Sequence, residues 1–381
     1  MPGHRKTWAL YLYVVSDSAG GAIDGAARAD VTALMKAVST RAGRSCHVVV
    51  RADFSKGRSV HATSSAPTSL RRVKEGDGTV QASLRKFFDA AIEDTPSSVR
   101  HVALMFWGHS VGPGGLFEDD NSGEKRSDGR LNLPLHEVGN AVFHAREVLK
   151  KRKTRLGMAI FKNCAMATVE TACEFQGKVP YLIASQDLVP ADGWPWTRLL
   201  AGLRGRDPRA ASMRALKAVR RHFALQENRP GRSEVSFSLI DTRRSLRELT
   251  PAFIKLREAL VRARPRTRTT ARRAAMQAYP PSDPCLLDVG ALCENLRLFA
   301  GAGSALGRRA RVVQSACERM LVDPPGEGST QFTGISVLYV PKVMRLRDMS
   351  FINLPEMYSQ LRFAKETGWE AIATENIEEL N

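Results

Sequence analysis

Residues 101–115 read His-Val-Ala-Leu-Met-Phe-Trp-Gly-His-Ser-Val-Gly-Pro-Gly-Gly, and residues 155–166 read Arg-Leu-Gly-Met-Ala-Ile-Phe-Lys-Asn-Cys-Ala-Met. Val102–Trp107 and Leu156–Phe161 are unbroken apolar runs of strand length, the pattern of strands buried on both faces of a parallel sheet. Each run stops abruptly in small or polar residues. The first gives way to Gly108, His109 and Ser110, the second to Lys162, Asn163 and Cys164. Open parallel sheets keep their working groups just outside the carboxyl ends of their strands. His109 and Cys164 both fall at such ends.

Working outward, Trp8–Val15 reads as a first strand. Asp30 reads as an N-cap ahead of Val31, Leu34, Met35 and Val38 at helical spacing. His47–Val50 is a second short strand, and residues 53–80 form a long Ser/Gly/Thr-rich connection. Leu84, Phe87, Phe88, Ala91 and Ile92 mark a helix. A turn-rich loop covers Gly108–Arg130, and Pro134 opens a helix carrying Leu135, Val138, Val142 and Leu149. A further helix starts near Met166, and Tyr181–Ser185 is another strand. Strands alternating with helices predict an α/β fold, with a mostly parallel central sheet and helices on both faces. Beyond it come two basic helices at about 197–224, a strand at Val235–Ile240 and a helix through Leu246, Leu249, Phe253, Leu256 and Leu260. The basic, Thr-rich stretch Arg264–Arg273 reads as a mobile linker. Two more helices, a strand at Ile335–Val340 stopped by Pro341, and a closing helical segment follow. The expected division is a core at 1–245 and a C-terminal helical/β extension at 246–381 that packs on or gates it.

With 381 residues and 43% hydrophobic residues the chain can build a large core. No apolar run approaches the ~18 residues a membrane helix needs. His4, Arg5 and Lys6 precede an apolar run, but that run is short and β-rich and lacks a cleavage site, so the expectation is a cytoplasmic protein. Six cysteines show no CxxC pair and no metal-ligand spacing with histidine, which points away from a disulfide framework and from a metal site. The net charge of +18 admits a nucleic-acid partner. No nucleic-acid-binding motif accompanies it, and arginine far outnumbers lysine, so an Arg-rich surface is the preferred reading.

Two nucleophiles compete. Gly108-His-Ser110-Val-Gly112 after a strand has the form G-x-S-x-G of a serine hydrolase elbow. That elbow needs a helix directly after the serine, and Pro113-Gly114-Gly115 cannot start one. The later histidines, His136, His144 and His222, all fall in predicted helices. The alternative pairs Cys164 with His109, 55 residues upstream, near the ~50 of the caspase pattern. An imidazole can take the thiol proton and later protonate the leaving amine. Backbone N–H groups at Ser110 and Cys164 are the candidate oxyanion donors. A structural cysteine beside a satisfied histidine is the competing interpretation.

The segment Phe161-Lys-Asn-Cys164-Ala-Met-Ala-Thr-Val-Glu170 resembles the nucleophile segment of the clostripain family of cysteine peptidases. Leu104–His109, Glu118–Gly123, Leu131–Val138, Tyr181–Asp187 and Pro190–Trp196 are similar to other segments of that family, with weaker likeness at Phe237–Asp241, Gly334–Tyr339, Tyr358–Phe363 and Thr367–Trp369. The resemblance implies a caspase–haemoglobinase fold and a His109/Cys164 dyad. It also implies cleavage of protein substrates, often after a basic residue, and activation by cutting a loop between the two. Ser110 stands where the family usually has glycine. Lys162 stands where it commonly has a pocket aspartate. Asp192 matches the family's second pocket acid, with Asp187 and Trp194 nearby as further substrate-binding candidates. Strand alternation points Lys162 toward the same site as Cys164, where it would oppose a basic substrate unless paired with Asp187 or another acid. Candidate processing sites are Lys125, Arg126, Arg130, Lys151, Arg152, Lys153 and Arg155. The implied partners are a peptide or protein substrate and an activating protease, with no membrane. No cofactor is required, although Asp119 and Asp120 suggest a Ca²⁺ option. An inactive scaffold of the same fold and a basic nucleic-acid-associated protein are the alternatives.

Overall fold

The computed structural model describes residues 6–18, 21–55, 58–65, 71–73, 77–118, 132–191, 193–227, 235–278, 285–325, 332–340 and 354–374. Its strands are β1 (Trp8–Val15), β2 (Cys46–Phe54), β3 (Arg58–Thr63), β4 (Arg71–Val73), β5 (His101–Trp107), β6 (Leu116–Glu118), β7 (Asn132–Leu133), β8 (Arg155–Lys162), β9 (Tyr181–Ser185), β10 (Phe237–Asp241), β11 (Leu286–Asp288), β12 (Leu321–Asp323) and β13 (Ser336–Leu338). The helices of the first part are α1 (Asp24–Val38), α2 (Gln81–Asp94), α3 (Leu135–Lys151), α4 (Val169–Phe175), α5 (Trp196–Gly202) and α6 (Pro208–Glu227). Those of the second are α7 (Ser245–Val261), α8 (Pro265–Met276), α9 (Val289–Ala300), α10 (Ala305–Glu318), α11 (Leu354–Ser359), α12 (Arg362–Thr367) and α13 (Glu370–Ala373).

Among the described residues nine strands form one sheet in the order β12-β10-β9-β8-β5-β1-β2-β3-β4. The five at its centre, β9 to β2, are parallel, and the flanking pairs are antiparallel. Alternation along the central strands sorts their side chains onto two faces. Tyr11, Leu104, Phe106, Ala159 and Phe161 enter one buried cluster, while Leu10, Met105, Trp107, Met158 and Ile160 enter the other. The first cluster is covered by α2, α3 and α4, the second by α1, α5 and α6. Because both faces are dry, β5 and β8 read as continuous apolar runs.

The first cluster continues without a break into Leu249, Phe253, Leu256, Leu292, Phe363 and Trp369 of α7, α9, α12 and the turn before α13. Phe253 makes edge-to-face contacts with Phe363 and Trp369, each at 5.0 Å. The expected boundary at 245 falls at the start of α7, and buried side chains cross it.

Four expectations need correction. Asp30 does not cap α1; the helix begins six residues earlier, and Asp30 is buried inside it. The connection at 53–80 contains β3 and β4, a polar antiparallel extension of the sheet edge. The predicted linker at 264–273 is helical, with Pro265 at the start of α8, where its missing N–H and fixed φ suit a first turn. The helix after Cys164 begins at Val169, capped by Thr168, whose hydroxyl accepts from the Thr171 N–H at 3.1 Å.

Candidate active site

The registers of β5 and β8 bring the two candidate catalytic residues together. Trp107 and Lys162 are partners in the parallel ladder, so His109 and Cys164, each two residues further on, leave neighbouring strands at the same level. Such strands lie about 4.8 Å apart. The two emerging loops are stitched through Asn163. Its amide Nδ2 donates to the Gly108 carbonyl at 2.8 Å and to the His109 carbonyl at 3.3 Å. The His109 carbonyl also accepts from the Phe117 N–H at 2.9 Å. The imidazole therefore stands on a backbone held from two sides. A side chain at position 108 would meet the Val15 carbonyl of β1 at 2.5 Å, so only glycine lets the loop pass the neighbouring strand end.

Cys164 lies in a tight turn. Ala165 adopts φ 55°, sparse territory for a residue with a Cβ, and its N–H donates to the Asp187 carbonyl at 3.2 Å. The Cys164 sulfur accepts from the Val189 N–H at 3.3 Å. Among the six cysteines, all free thiols, Cys164 alone is not buried. Burial pushes the thiols of Cys46, Cys173, Cys293 and Cys317 well above the ordinary range, so they are poor nucleophiles. A charge-assisted contact to the sulfur stabilises a thiolate, and a backbone N–H supplies one here.

The serine alternative does not fit this geometry. After Ser110 the chain makes a single 3₁₀ turn at Gly112–Gly114 and enters β6, so no α-helix follows it. Position 115, at φ 130°, needs glycine, because a Cβ there would lie 2.5 Å from the Leu133 carbonyl of β7. The Ser110 hydroxyl donates to the Cys164 carbonyl at 2.5 Å, a third tie between the two loops.

Lys162 does not enter an open pocket. Its side chain is 1% exposed, and its ammonium is ion-paired with Asp30 of α1, 3% exposed. The ammonium also donates to the Ala191 carbonyl at 2.7 Å and sits 4.5 Å from the Trp107 ring centroid. Asp30 in turn accepts from the Trp107 indole at 2.9 Å and the Trp196 indole at 3.2 Å. Alternation places Lys162 on the face of Ile160, and that face is covered by α1. The acid that meets it is therefore Asp30 and not Asp187.

Asp187 follows β9, is 4% exposed, and has one carboxylate oxygen with no partner among the described residues. Trp194, a substrate-binding candidate, is buried among Trp196, Phe223 and Phe237, so its ring packs in the core beside β10. Asp192, Asp119, Asp120, Lys125, Arg126 and Arg130 lie outside the described residues. The processing candidates at 151–155 do not lie in a loose loop. Lys151 ends α3, Arg152 donates to the Thr95 carbonyl at 2.7 Å, and Arg155 opens β8 with its N–H on the Arg100 carbonyl. A protease needs an extended, accessible segment, whereas these four occupy a helix end, the tight turn after it and a strand start. Among the described residues no group of three or more His, Cys, Asp and Glu is placed to hold a metal ion.

Sequence reasoning passed over Asn163 and Glu170. Glu170 lies fully buried on α4 and accepts from the Leu338 N–H at 3.0 Å and the Tyr358 hydroxyl at 2.7 Å. Burial raises its carboxyl from 4.5 to about 7, although these two donors pull it down. Gln186, between β9 and Asp187, bonds Asp288 at 3.0 Å and Ser336 at 2.8 Å. Both residues fasten the C-terminal extension to the elements that carry the site. Their only sequence signal is a polar residue inside an otherwise apolar segment.

A mixed sheet with a parallel centre and helices on both faces defines a caspase-like α/β fold, and the candidate residues His109 and Cys164 follow neighbouring strands at its carboxyl edge. The sequence profile of the clostripain family, peptidase C11, matches residues 69–279. The chain belongs to that family of cysteine proteases. Among solved structures it is similar to a secreted C11 cysteine protease from Bacteroides thetaiotaomicron in complex with an irreversible peptide inhibitor. That match has 13% identity and a TM-score of 0.66, and covers 95% of this chain and 99% of that one. It is also similar to an inactive zymogen C11 protease from Parabacteroides distasonis, with 12% identity, a TM-score of 0.62, and coverage of 94% and 97%. No curated protein matches the sequence. No described helix is long and apolar enough to cross a membrane.

Proposed function

We propose that the chain is a cysteine endopeptidase working through Cys164 and His109. The observation that carries this reading is that one cysteine of six is not buried, and it leaves its strand beside the strand end bearing His109. The His109 imidazole takes the thiol proton, and the sulfur attacks the scissile carbonyl carbon. The carbonyl π pair moves to oxygen, where the backbone N–H groups of Ser110 and Cys164 stabilise it. Collapse breaks the C–N bond as His109 gives its proton to the leaving amine. Water, deprotonated by His109, then hydrolyses the thioester and frees the thiol.

Specificity for a basic residue before the scissile bond rests on Asp187, with its unpartnered oxygen, and on Asp192. A carboxylate in a partly dry pocket pairs best with a guanidinium. Lys162 does not oppose this, because Asp30 neutralises it. Activation is assigned to cleavage at Lys125, Arg126 or Arg130. Free thiols throughout suit a reducing compartment, which supports a cytoplasmic location. The test is cleavage of Arg-, Lys- and Glu-containing reporter peptides. Cys164→Ala is expected to abolish turnover and Ser110→Ala to retain much of it. An active Cys164→Ala variant removes the proposal, and a preference for acidic residues removes its specificity arm.

A further inference from the structure

The sheet has a second concave edge, opposite the candidate active site. Two cavities of about 570 and 540 Å³ open where β5 and β8 begin. The first is lined by Arg146, Lys150, Lys153, Arg155, Lys178 and Arg243, the second by Arg100, Lys153, Arg155 and Arg206. Among the described residues no carboxylate lines either cavity, and Lys153 and Arg155 are common to both.

Some of these cations have counter-ions. Arg146 pairs with Glu147 at 2.7 Å, Lys178 with Glu174 at 2.7 Å and Arg243 with Asp241 at 2.6 Å. Asp207 acts on His101 from this edge but lines neither cavity, and its Oδ1 accepts from the Arg209 N–H. Lys150, Lys153, Arg155 and Arg206 have no ion pair among the described residues. Like charges gathered in concave walls focus a positive potential.

Lys153 adds an independent sign. It sits at φ 56°, one residue past the C-cap of α3, in a turn where its N–H bonds the Lys150 carbonyl and the Thr154 N–H bonds the Leu149 carbonyl. Glycine is the residue that takes this left-handed position without steric cost. A lysine there points to a use for its side chain, which stands where the two cavities meet.

We propose that this edge binds an oligophosphate anion of small-molecule size, with Lys153 and Arg155 at the centre of the site. Phosphate groups match both the guanidinium fork and the compact ammonium charge. The recesses have the size of small-molecule sites. Among the described residues neither is lined by Phe, Tyr or Trp, the stacking platforms a single-stranded nucleic acid uses. The site lies at the start of the two strands whose other ends carry His109 and Cys164, so occupancy leaves the substrate cleft open.

The experiment is calorimetric titration of the full chain with sodium tripolyphosphate at physiological salt, with Cys164→Ala in every sample to prevent self-cleavage. Orthophosphate and a short single-stranded oligonucleotide are the comparison ligands. One-site binding of tripolyphosphate, well ahead of orthophosphate, is expected. The double variant Lys153→Glu/Arg155→Glu should weaken it on the order of tenfold or more, since two charge-assisted contacts become repulsions. Lys86→Glu/Arg311→Glu, with the same net charge and both positions outside the cavities, should change it by less than about threefold. Lys153→Gly guards against misfolding: it suits the backbone, so the melting temperature should hold or rise while affinity falls. No binding, equal loss in both charge reversals, or full affinity in Lys153→Gly overturns the proposal. Tighter binding of the oligonucleotide than of tripolyphosphate also overturns it, in favour of nucleic acid.

Discussion

Replacing Lys162 by methionine tests how the protein accommodates a lysine beneath its active site. The ammonium is ion-paired with Asp30, bonded to the Ala191 carbonyl and packed on Trp107, with almost no solvent contact. Breaking a buried ion pair from one side costs about 3–5 kcal/mol, because the remaining charge is left without its partner. Two indole donors stay on Asp30, at 2.9 and 3.2 Å, and each such bond to a charged group is worth about 1.5–3 kcal/mol. Lys162→Met should therefore fall near the lower end, about 3 kcal/mol. Asp30→Asn should cost at least as much, since it strands the ammonium. The double variant Asp30→Asn/Lys162→Met buries no unpaired charge and should be less destabilised than the sum of the singles by about 2–3 kcal/mol. Lys162→Asp sets two buried carboxylates together and should fail to fold. The assay is urea unfolding by tryptophan fluorescence in a Cys164→Ala background. Trp107 and Trp196 touch the pair, so the emission reports on it directly. Single variants costing under about 1 kcal/mol, with an additive double, would refute the buried-pair description.

Asn163→Ala removes the amide that joins the Gly108 and His109 carbonyls. Steady-state kinetics should show kcat lowered by about tenfold or more with KM little changed, as the imidazole loses its fixed orientation; unchanged kcat sinks this role. Glu170 has a pH signature. Its folded carboxyl, at about 7, holds a proton that the unfolded chain releases near 4.5. Stability from this group is therefore greatest below the lower value and is lost as pH rises through the higher one, by up to about 3 kcal/mol. Glu170→Gln should abolish that loss, so the variant's melting temperature should gain on the wild type from about pH 5 to about pH 8. A difference that does not move with pH counts against it. Activation by cleavage within 121–130 is checked by mass spectrometry of the active form, and an intact, fully active chain removes that idea.

The strands that carry the site were readable because they are buried on both faces, and β1, β5 and β8 stand out as apolar runs. The elements that were missed lack that contrast. β3 and β4 lie at a sheet edge and are rich in Arg, Ser and His, with little apolar alternation to mark them. In α8 only Ala274 and Ala275 are buried, so an Arg/Thr-rich helix looks like a linker. Alternation put Lys162 on a definite face, yet its partner Asp30 is 132 residues away, and no local pattern names a pairing at that distance. Asp30 itself resembles an N-cap because a short acidic residue ahead of an apolar period usually is one. That His109 and Cys164 both fall at strand ends was legible because each follows an apolar run, whereas the register that sets those two ends level is a property of the sheet that no sequence spacing encodes.

The most direct measurement of the central claim is covalent labelling by a peptidyl chloromethyl ketone, with the modified residue mapped by mass spectrometry. Peptide recognition must present the electrophile to a reactive thiolate, so free iodoacetamide serves as the unselective comparison. The account predicts modification at Cys164 alone, slowed by orders of magnitude in His109→Ala and little changed in Ser110→Ala. Labelling at Ser110 or at another cysteine, or equal rates with and without His109, would contradict it.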